Sequence, residues 1–414
     1  MRFIVAHTGA RRGYAVPLIL QRAGLLERFY TDVCANVGLG KLVCATDRLI
    51  GNPQAIQRLR SRRLPPELVS KTRTFWRPNI SYFLRMLTAG GDAAELYRAN
   101  LQWQCRLGEK MAAEGFGNAT WLHSFLDEFP TLIFAAKRAG LQIVSELYIL
   151  LSTDRILSDE RSHFPGWEPD LPDYDNITQQ VLGQRPLFHC TDYVLCPSEA
   201  VREDAITNFG FRREQTAMVP YGVDERWFTV CNRPVRARIL FAGTAELRKG
   251  IHYLGFAANK LFARNFLGEF RIAGNAPASV RSQKASRHLN FLGRTSREKI
   301  AEEFACADIV VLPSLAEGSA GVIYEALAAG VPIVTTPEAG SVVRDGIEGR
   351  IVPSRDPETL ANALAEIVED RQKRERMAHA ARERAQEFTW ERYGERLIAA
   401  LKSFATKEHG PARA

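Results

Sequence analysis

Two acids eight positions apart, Glu317 and Glu325, flank a run of small residues in EGSAGVIYEALAAGVP, residues 317–332. The stretch follows the apolar run DIVVLPS (308–314), and VIYEALAAG reads as a helix that Gly330 ends. A strand-to-helix turn of this kind aims free backbone N–H groups and the positive end of a helix dipole beyond the strand, where an anion is stabilised. Gly318, Ser319, Ala320 and Gly321 are small enough to let it approach the backbone. Glu325 falls about two turns further, roughly 10 Å along the axis and not far from the same face. Carboxylates so spaced can bracket an extended ligand: a hydroxyl-rich group at one end, a diphosphate over the helix start, a ribose at the other. Taken alone, a loop acid and a surface helix acid explain the pair as well.

Three further groups could do chemistry. Arg248 and Lys249 stand at a helix start in GTAELRKGIHYL (243–254). Cations there oppose the dipole, so a structural role explains them poorly and an anionic ligand explains them better. HTGARRG (7–13) sets Gly9 and Gly13 where a ligand could approach closely, and WLHSF (121–125) places His123 at a strand end. A lone histidine is as readily structural. Asp173 and Asp175 form an Asp-x-Asp pair, which hard cations favour. It lies in the Pro-rich PDLPDYDN with no strand running into it, so no metal site is expected.

The elements that must position these residues fall into two halves that open alike. RFIVAHTG (2–9) and RILFAGT (238–244) are buried-strand runs ending in a glycine-containing turn, as a Rossmann-like half begins. Further strands are expected at 121–125, 141–147 and 193–198, then at 270–274, 289–293, 308–314 and 331–336, alternating with helical patterns. That alternation specifies α/β architecture: parallel sheets with helices on both faces, in two Rossmann-like domains. The domains are expected at 1–222 and 236–387, with the Pro-, Gly- and aromatic-rich segment 223–235 as linker and residues 388–414 as a last helix and tail. Residues 150–186 read as a long loop with helical pieces.

At 414 residues, with 46% hydrophobic and 25% charged content, the chain fits two folded domains and excludes a disordered protein. No run of about 18 apolar residues predicts a membrane span. MRFIVAHTG runs straight into a strand, so no signal peptide is expected. Seven scattered cysteines without a C-x-x-C pair argue against disulfides and zinc, and for a reducing cytoplasm. The net charge of +8 is uneven: residues 1–120 hold 18 Lys/Arg against 8 Asp/Glu, a local +10. RLRSRRLPPELVSKTRTFWR (58–77) carries much of that excess. It is either a solvated face or a surface for anionic lipid or a phosphorylated partner. No nucleic-acid-binding motif accompanies it.

The motif around Glu317 and Glu325 resembles the signature of retaining glycosyltransferases of the GT-B fold, family 4. The resemblance extends to GTAELRKGIHYL, to CTDYVLCPSEAVREDAITNFGF with VPYGVD (190–224), to FLGRTSREKIAEEFACADIVVLPS (291–314) and to FTWERYGERLIAAL (388–401). It is good over 190–402 and loose over 1–189. It implies two domains facing a cleft, a closing helix that crosses back to the first, and a nucleotide diphosphate sugar as donor. Glu325 would hold ribose hydroxyls and Glu317 the donor sugar, with the backbone of 318–321 helping. Lys249 and Arg248 would neutralise the departing diphosphate, while Leu292 and Gly293 would lie beside the base. Gly243 opens the phosphate-binding segment, and His123 matches a position near the transferred sugar. The family commonly has arginine where Thr244 stands, and a different end to the first helix from GLLERFYTDV (24–33).

The resemblance thus implies a metal-independent transferase without cofactor; the cysteine usage places it in the cytoplasm, and the basic segment 58–77 points to a saccharide or lipid-linked acceptor and to peripheral contact with anionic membrane. The competing expectation is a non-catalytic, nucleotide-sugar-binding partner subunit. A nicotinamide oxidoreductase ranks last, because neither glycine turn has the G-x-G-x-x-G spacing.

Overall fold

The computed structural model describes residues 1–45, 53–183 and 187–408. Residues 184–186 of the expected long loop and the tail from 409 on lie outside the described residues. The chain divides into two compact units, Met1–Glu146 with Leu171–Leu195 and the residues from Ile398 on, and Leu147–Asp170 with Cys196–Leu397.

In the first unit the strands β1 (Phe3–Ala6), β2 (Leu26–Thr31), β3 (Thr72–Thr74), β4 (Trp121–Phe125), β5 (Gln142–Glu146) and β6 (Tyr193–Cys196) pair in the order β3-β2-β1-β4-β5-β6. Every pair is parallel. All four side chains of β1 and all five of β4 are buried, as expected for a parallel sheet covered on both faces. The helix Ala93–Glu114 begins at Asp92, whose carboxylate accepts from the N–H groups of Ala94 and Glu95 at 2.8 and 3.2 Å. It packs closely on the helix Pro130–Arg138, because a Cβ on Gly108 would stand 2.3 Å from the Thr131 hydroxyl.

The second unit contains β7 (Thr216–Met218), β8 (Arg238–Ala242), β9 (Glu269–Ala273), β10 (Leu289–Gly293), β11 (Ile309–Leu312), β12 (Ile333–Thr335) and β13 (Gly349–Ile351). Six of them form a parallel sheet in the order β10-β9-β8-β11-β12-β13. Both units are therefore Rossmann-like. Within its sheet, each has one strand whose neighbours leave in opposite directions, β1 between β2 and β4, and β8 between β9 and β11. The crevice beyond the carboxyl ends of such strands is where open α/β sheets bind ligands.

The long segment after β5 carries two helices, Thr153–His163 and Tyr174–Leu182. Asp173 of the Asp-x-Asp pair caps the second, accepting from the Asn176 N–H at 2.9 Å. Residues of 223–235 are bonded into the second unit: the Val223 N–H donates to the Phe388 carbonyl and the Arg233 N–H to Ala305. The last helix, Trp390–Glu408, is shared, its residues from Ile398 on counting with the first unit. There Phe404 stacks on Tyr193 with ring centroids 4.4 Å apart.

Asp308 anchors the start of β11. Its buried carboxylate accepts from both terminal nitrogens of Arg371 at 2.7 and 2.9 Å and from the Ala237 N–H at 2.8 Å, with Arg374 Nε at 3.1 Å. Asp308→Ala leaves the buried Arg374 cation without its counter-charge. It is expected to lower the unfolding free energy by about 3–5 kcal/mol, read as a reduced urea midpoint.

Candidate functional site

The turns after β8 and β11 meet because their strands are neighbours, although nearly 70 positions separate them in sequence. Gly243 ends β8 with φ 146°, and a Cβ there would press to 3.3 Å on the Lys249 side chain. The chain then turns through Leu247–Lys249 to Gly250 (φ 69°), which opens the helix Ile251–Ala263. Gly250 is required by a close approach: its Cβ would lie 1.9 Å from the Pro313 carbonyl oxygen of the neighbouring turn. The Leu315 N–H donates to the Arg248 carbonyl at 2.8 Å, fixing one turn to the other.

On this frame the structure brings Glu317, Arg248 and Lys249 together. Lys249 Nζ bonds one Glu317 oxygen, and Arg248 Nη1 stands 2.9 Å from the other. Arg248 also donates to the Ala316 carbonyl at 3.0 Å and to Glu246 at 2.6 Å. Both acids raise the pKa of Arg248 above its ordinary value despite its burial. The loop that follows is held from below. Ser198 donates to the Gly318 carbonyl at 2.5 Å, and the Gly318 Cα faces the Tyr148 carbonyl so closely that a Cβ would sit at 2.0 Å. Ser319 donates to the Gly340 carbonyl at 2.7 Å and bonds the Tyr324 hydroxyl at 2.7 Å. Ser319 is thus occupied in the scaffold. Ala320 leads into the helix Gly321–Ala329 with no side-chain cap, leaving the first N–H groups available to an anion.

Glu325 stands apart from the Glu317 cluster. Among the described residues it has no hydrogen-bond or ion-pair partner, and burial pushes its pKa up to about 7 against the milder opposing pull of Arg226 and Arg297. A partly buried carboxylate with unfilled acceptor sites is poised for hydroxyl donors. Gly293 (φ 72°) closes β10, and its carbonyl accepts from the Gly274 N–H at 2.9 Å. Gly274 in turn lies against Gly243, where a Cβ would meet the Gly243 carbonyl at 2.0 Å. Leu292, half-buried, packs on the unit's core. The three glycines form a side-chain-free edge across the ends of β8, β9 and β10. The sequence reading omitted Gly274, although FRIAG ends as LNFLG does.

In the first unit the corresponding crevice is charged. Gly9 (φ 65°) donates its N–H to Asp32 at 2.9 Å. Arg12, Gly13 and Tyr14 are three consecutive left-handed residues with φ of 47°, 62° and 66°. Such conformations are costly outside glycine and persist where surrounding contacts fix them. Here Arg11 pairs with Glu128 and Arg12 with Glu146, while Arg11 lies over the Phe125 ring at 4.2 Å. Burial pushes the Glu128 carboxyl up to about 7, with Arg11 opposing it. His123 is fully buried on β4, with Nε2 3.8 Å from Glu146 and neither ring nitrogen hydrogen-bonded. Burial lowers its pKa, with Glu146 opposing, and so favours the neutral ring. Burial pushes His7 down to about 3. Glu128 and Glu146 were not singled out from the sequence. The available signal was an acid following each of two apolar runs, in WLHSFLDEF and LQIVSEL. Among the described residues, no three of His, Cys, Asp and Glu gather as metal ligands.

Residues 236–370 match the model of the family described as glycosyl transferases group 1. The chain is 28% identical over 237 residues to the D-inositol 3-phosphate glycosyltransferase of Xylanimonas cellulosilytica, covering 51% of this chain and 57% of that protein. It is 28% identical over 335 residues to the glycogen synthase of Mycobacterium tuberculosis, covering 74% and 77%. It spans between 56% and 63% of the length of three inositol phosphate glycosyltransferases that it matches. Among solved structures, HepE of Anabaena in complex with UDP superposes with TM-score 0.58 at 17% identity, covering 97% of this chain and 100% of that one. The sucrose-phosphate synthase of Thermosynechococcus elongatus gives 0.60 at 16%, covering 98% and 100%. These likenesses establish the fold: two Rossmann-like domains of the GT-B type.

The state of Glu325 has a measurable consequence. A carboxyl raised from 4.5 to about 7 destabilises the folded protein as it ionises, by roughly 3 kcal/mol once pH exceeds 7. The penalty is absent below pH 4.5, grows between pH 4.5 and about 7, and is complete above that. Glu325→Gln is therefore expected to melt with wild type near pH 4.5 and above it at pH 8, by differential scanning fluorimetry. Coincident melting at both pH values would remove the burial argument.

Proposed function

We propose that this chain is a glycosyltransferase that moves a sugar from a nucleotide diphosphate sugar to a saccharide or lipid-linked acceptor. The observation that carries the reading is the convergence of Arg248 and Lys249 on Glu317 beside an uncapped helix start, at the switch point of a Rossmann-like unit. The match of residues 236–370 to glycosyl transferases group 1 supports it, as do relatives named for glycosyl transfer.

In this reading the diphosphate lies over the N–H groups that open Gly321–Ala329, with Lys249 as a point charge and Arg248 as a forked donor. The side-chain-free edge at Gly243, Gly274 and Gly293 gives the nucleotide close approach to the backbone. Glu325 accepts the ribose hydroxyls, and Glu317 binds donor-sugar hydroxyls while orienting the two cations. As the glycosidic bond breaks, negative charge grows on the leaving diphosphate. Cations fixed in advance stabilise that charge more than they stabilise the ground state. They also supply the positive charge that a metal provides in other transferases, so the reaction is metal-independent. Glu317 is engaged by two cations, which disfavours it as a covalent nucleophile. Retention of configuration then follows from front-face attack, with the leaving phosphate taking the acceptor's proton. The acceptor is assigned to the first unit, with the loop of Gly9 and Gly13, and the site of action to the cytoplasm; His123, fully buried on β4, is left without acceptor contact.

A panel of UDP-, GDP- and ADP-sugars, with and without EDTA, tests the donor reading by thermal shift and diphosphate release. Stabilisation by one nucleotide with turnover indifferent to EDTA is expected, and no stabilisation by any would overturn it. Lys249→Ala is expected to lower kcat by about 100-fold or more at a modest change in KM, as loss of one preorganised charge does. Because ribose hydroxyls favour the ionised form of Glu325, nucleotide affinity is expected to fall from pH 8 to pH 6 in wild type and not in Glu325→Gln. Isothermal titration at the two pH values reads this directly.

A further inference from the structure

The helix Arg77–Thr88 of the first unit is turned the wrong way round for a surface helix. Its apolar residues Ile80, Phe83, Leu84 and Leu87 recur at i, i+3, i+4 and i+7, a single stripe that normally faces a core. Here they are 54%, 63%, 57% and 65% exposed. The side that meets the protein is the polar one. Against the helix Ala93–Glu114, Asn79 accepts from the Trp103 indole N–H at 2.7 Å and Ser81 accepts from Arg106 at 2.9 Å. Tyr82 stacks on Trp103 at 4.8 Å, and Arg85 donates to Gln102. These bonds fix the rotation of the helix, so the stripe points away from the unit's own core.

A contiguous exposed apolar patch marks an interaction surface, and the charge around it selects the partner. The segment TFWRPNISYFLRMLTAGG, residues 74–91, contains Arg77 and Arg85 and no acid. Arg85 and Arg106 are bound to an amide and a hydroxyl, and Arg77 lies 5.7 Å from the Trp76 ring centroid. Among the described residues none of the three guanidinium groups pairs with a carboxylate. Apolar side chains on one helical face, flanked by uncompensated arginines and a tryptophan, are the chemistry of a helix lying at a lipid–water interface. Among the described residues no helix is long and apolar enough to cross a membrane. We infer that this helix docks the protein on an anionic lipid surface, Ile80, Phe83, Leu84 and Leu87 entering the acyl boundary and Arg77, Arg85 and Arg106 meeting the phosphates. It adjoins the basic segment 58–77 at Arg77. The inference goes beyond the donor reading and does not rest on it.

The test is co-sedimentation of the full chain with vesicles of phosphatidylcholine alone and with about one quarter phosphatidylglycerol, at low and high salt. Binding to the anionic vesicles that weakens with salt is expected. Phe83→Ser/Leu87→Ser is expected to lose at least about tenfold in partitioning with an unchanged melting temperature, and Leu84→Ser alone to shift in the same direction. Failure of the wild type to sediment with either vesicle would overturn the inference, as would undiminished binding by the folded variants. Sedimentation velocity without lipid provides the remaining discriminator: a wild-type dimer that the double variant converts to monomer would assign the face to a second copy of the chain.

Discussion

The cluster around Glu317 depends on a topological constraint before it depends on any side chain. In the second unit β8 lies between β9 and β11, so the turn that leaves β8 and the turn that leaves β11 are forced together. Gly250 against the Pro313 carbonyl and the Leu315 N–H on the Arg248 carbonyl are the price of that adjacency in backbone space. Once those contacts are made, Glu317 has two cations within reach and no freedom to leave them. Lys249 and Arg248, each long and rotamer-rich, are ordered before any substrate arrives. A cation so fixed does not have to lose that entropy when an anion meets it.

The first unit solves the same geometric problem with the opposite balance. Its switch-point strand, β1, releases the chain into a loop with three left-handed residues in a row, and two arginines from that loop are drawn back onto Glu128 and Glu146. The ion pairs offset part of the backbone strain, and the strain holds the arginines where the pairs can form. Neither would persist alone, since a half-buried arginine without its acid and a left-handed arginine without its anchor are both costly.

Much of this architecture is local in sequence and therefore legible there. Apolar runs ending in glycine, such as RILFAGT and LNFLG, mark both a strand and the turn that follows, because burial on two faces and a positive φ each leave a compositional trace. The strands that escape the reading are β2, β3, β7 and β13: LERFYT, compared above with the end of a helix, is strand β2 with Glu27 and Arg28 interrupting its apolar run, and the three-residue β3 (TRT), β7 (TAM) and β13 (GRI) carry little hydrophobic signal. Contacts between distant residues escape it for a different reason. Arg11 and Glu128 are 117 positions apart, and Glu160 and His252 are 92, so no periodicity relates them. The inverted helix shows a third kind of gap. NISYFLRML has the apolar spacing of any surface helix, and only the bonds made by Asn79, Ser81 and Arg85 reveal which side faces out.

Two glutamates of the second unit show how far residue identity falls short of role. Glu160 is buried and accepts from His252 and Tyr253 at 2.7 Å and from Arg355 at 2.9 Å. Despite its burial, those donors hold its pKa down to about 2. Such an acid is saturated: its lone pairs are spent on joining the helix Thr153–His163 to the helix Ile251–Ala263, and any further ligand would have to displace a native bond. Glu325 is partly buried, yet among the described residues nothing donates to it and its pKa rises to about 7. Burial without satisfaction is unfavourable for folding, and a carboxylate held that way in a crevice is a candidate for completion by a ligand. The same residue type in the same unit is thus structural in one place and receptive in the other, and what separates them is the number of donors the fold supplies.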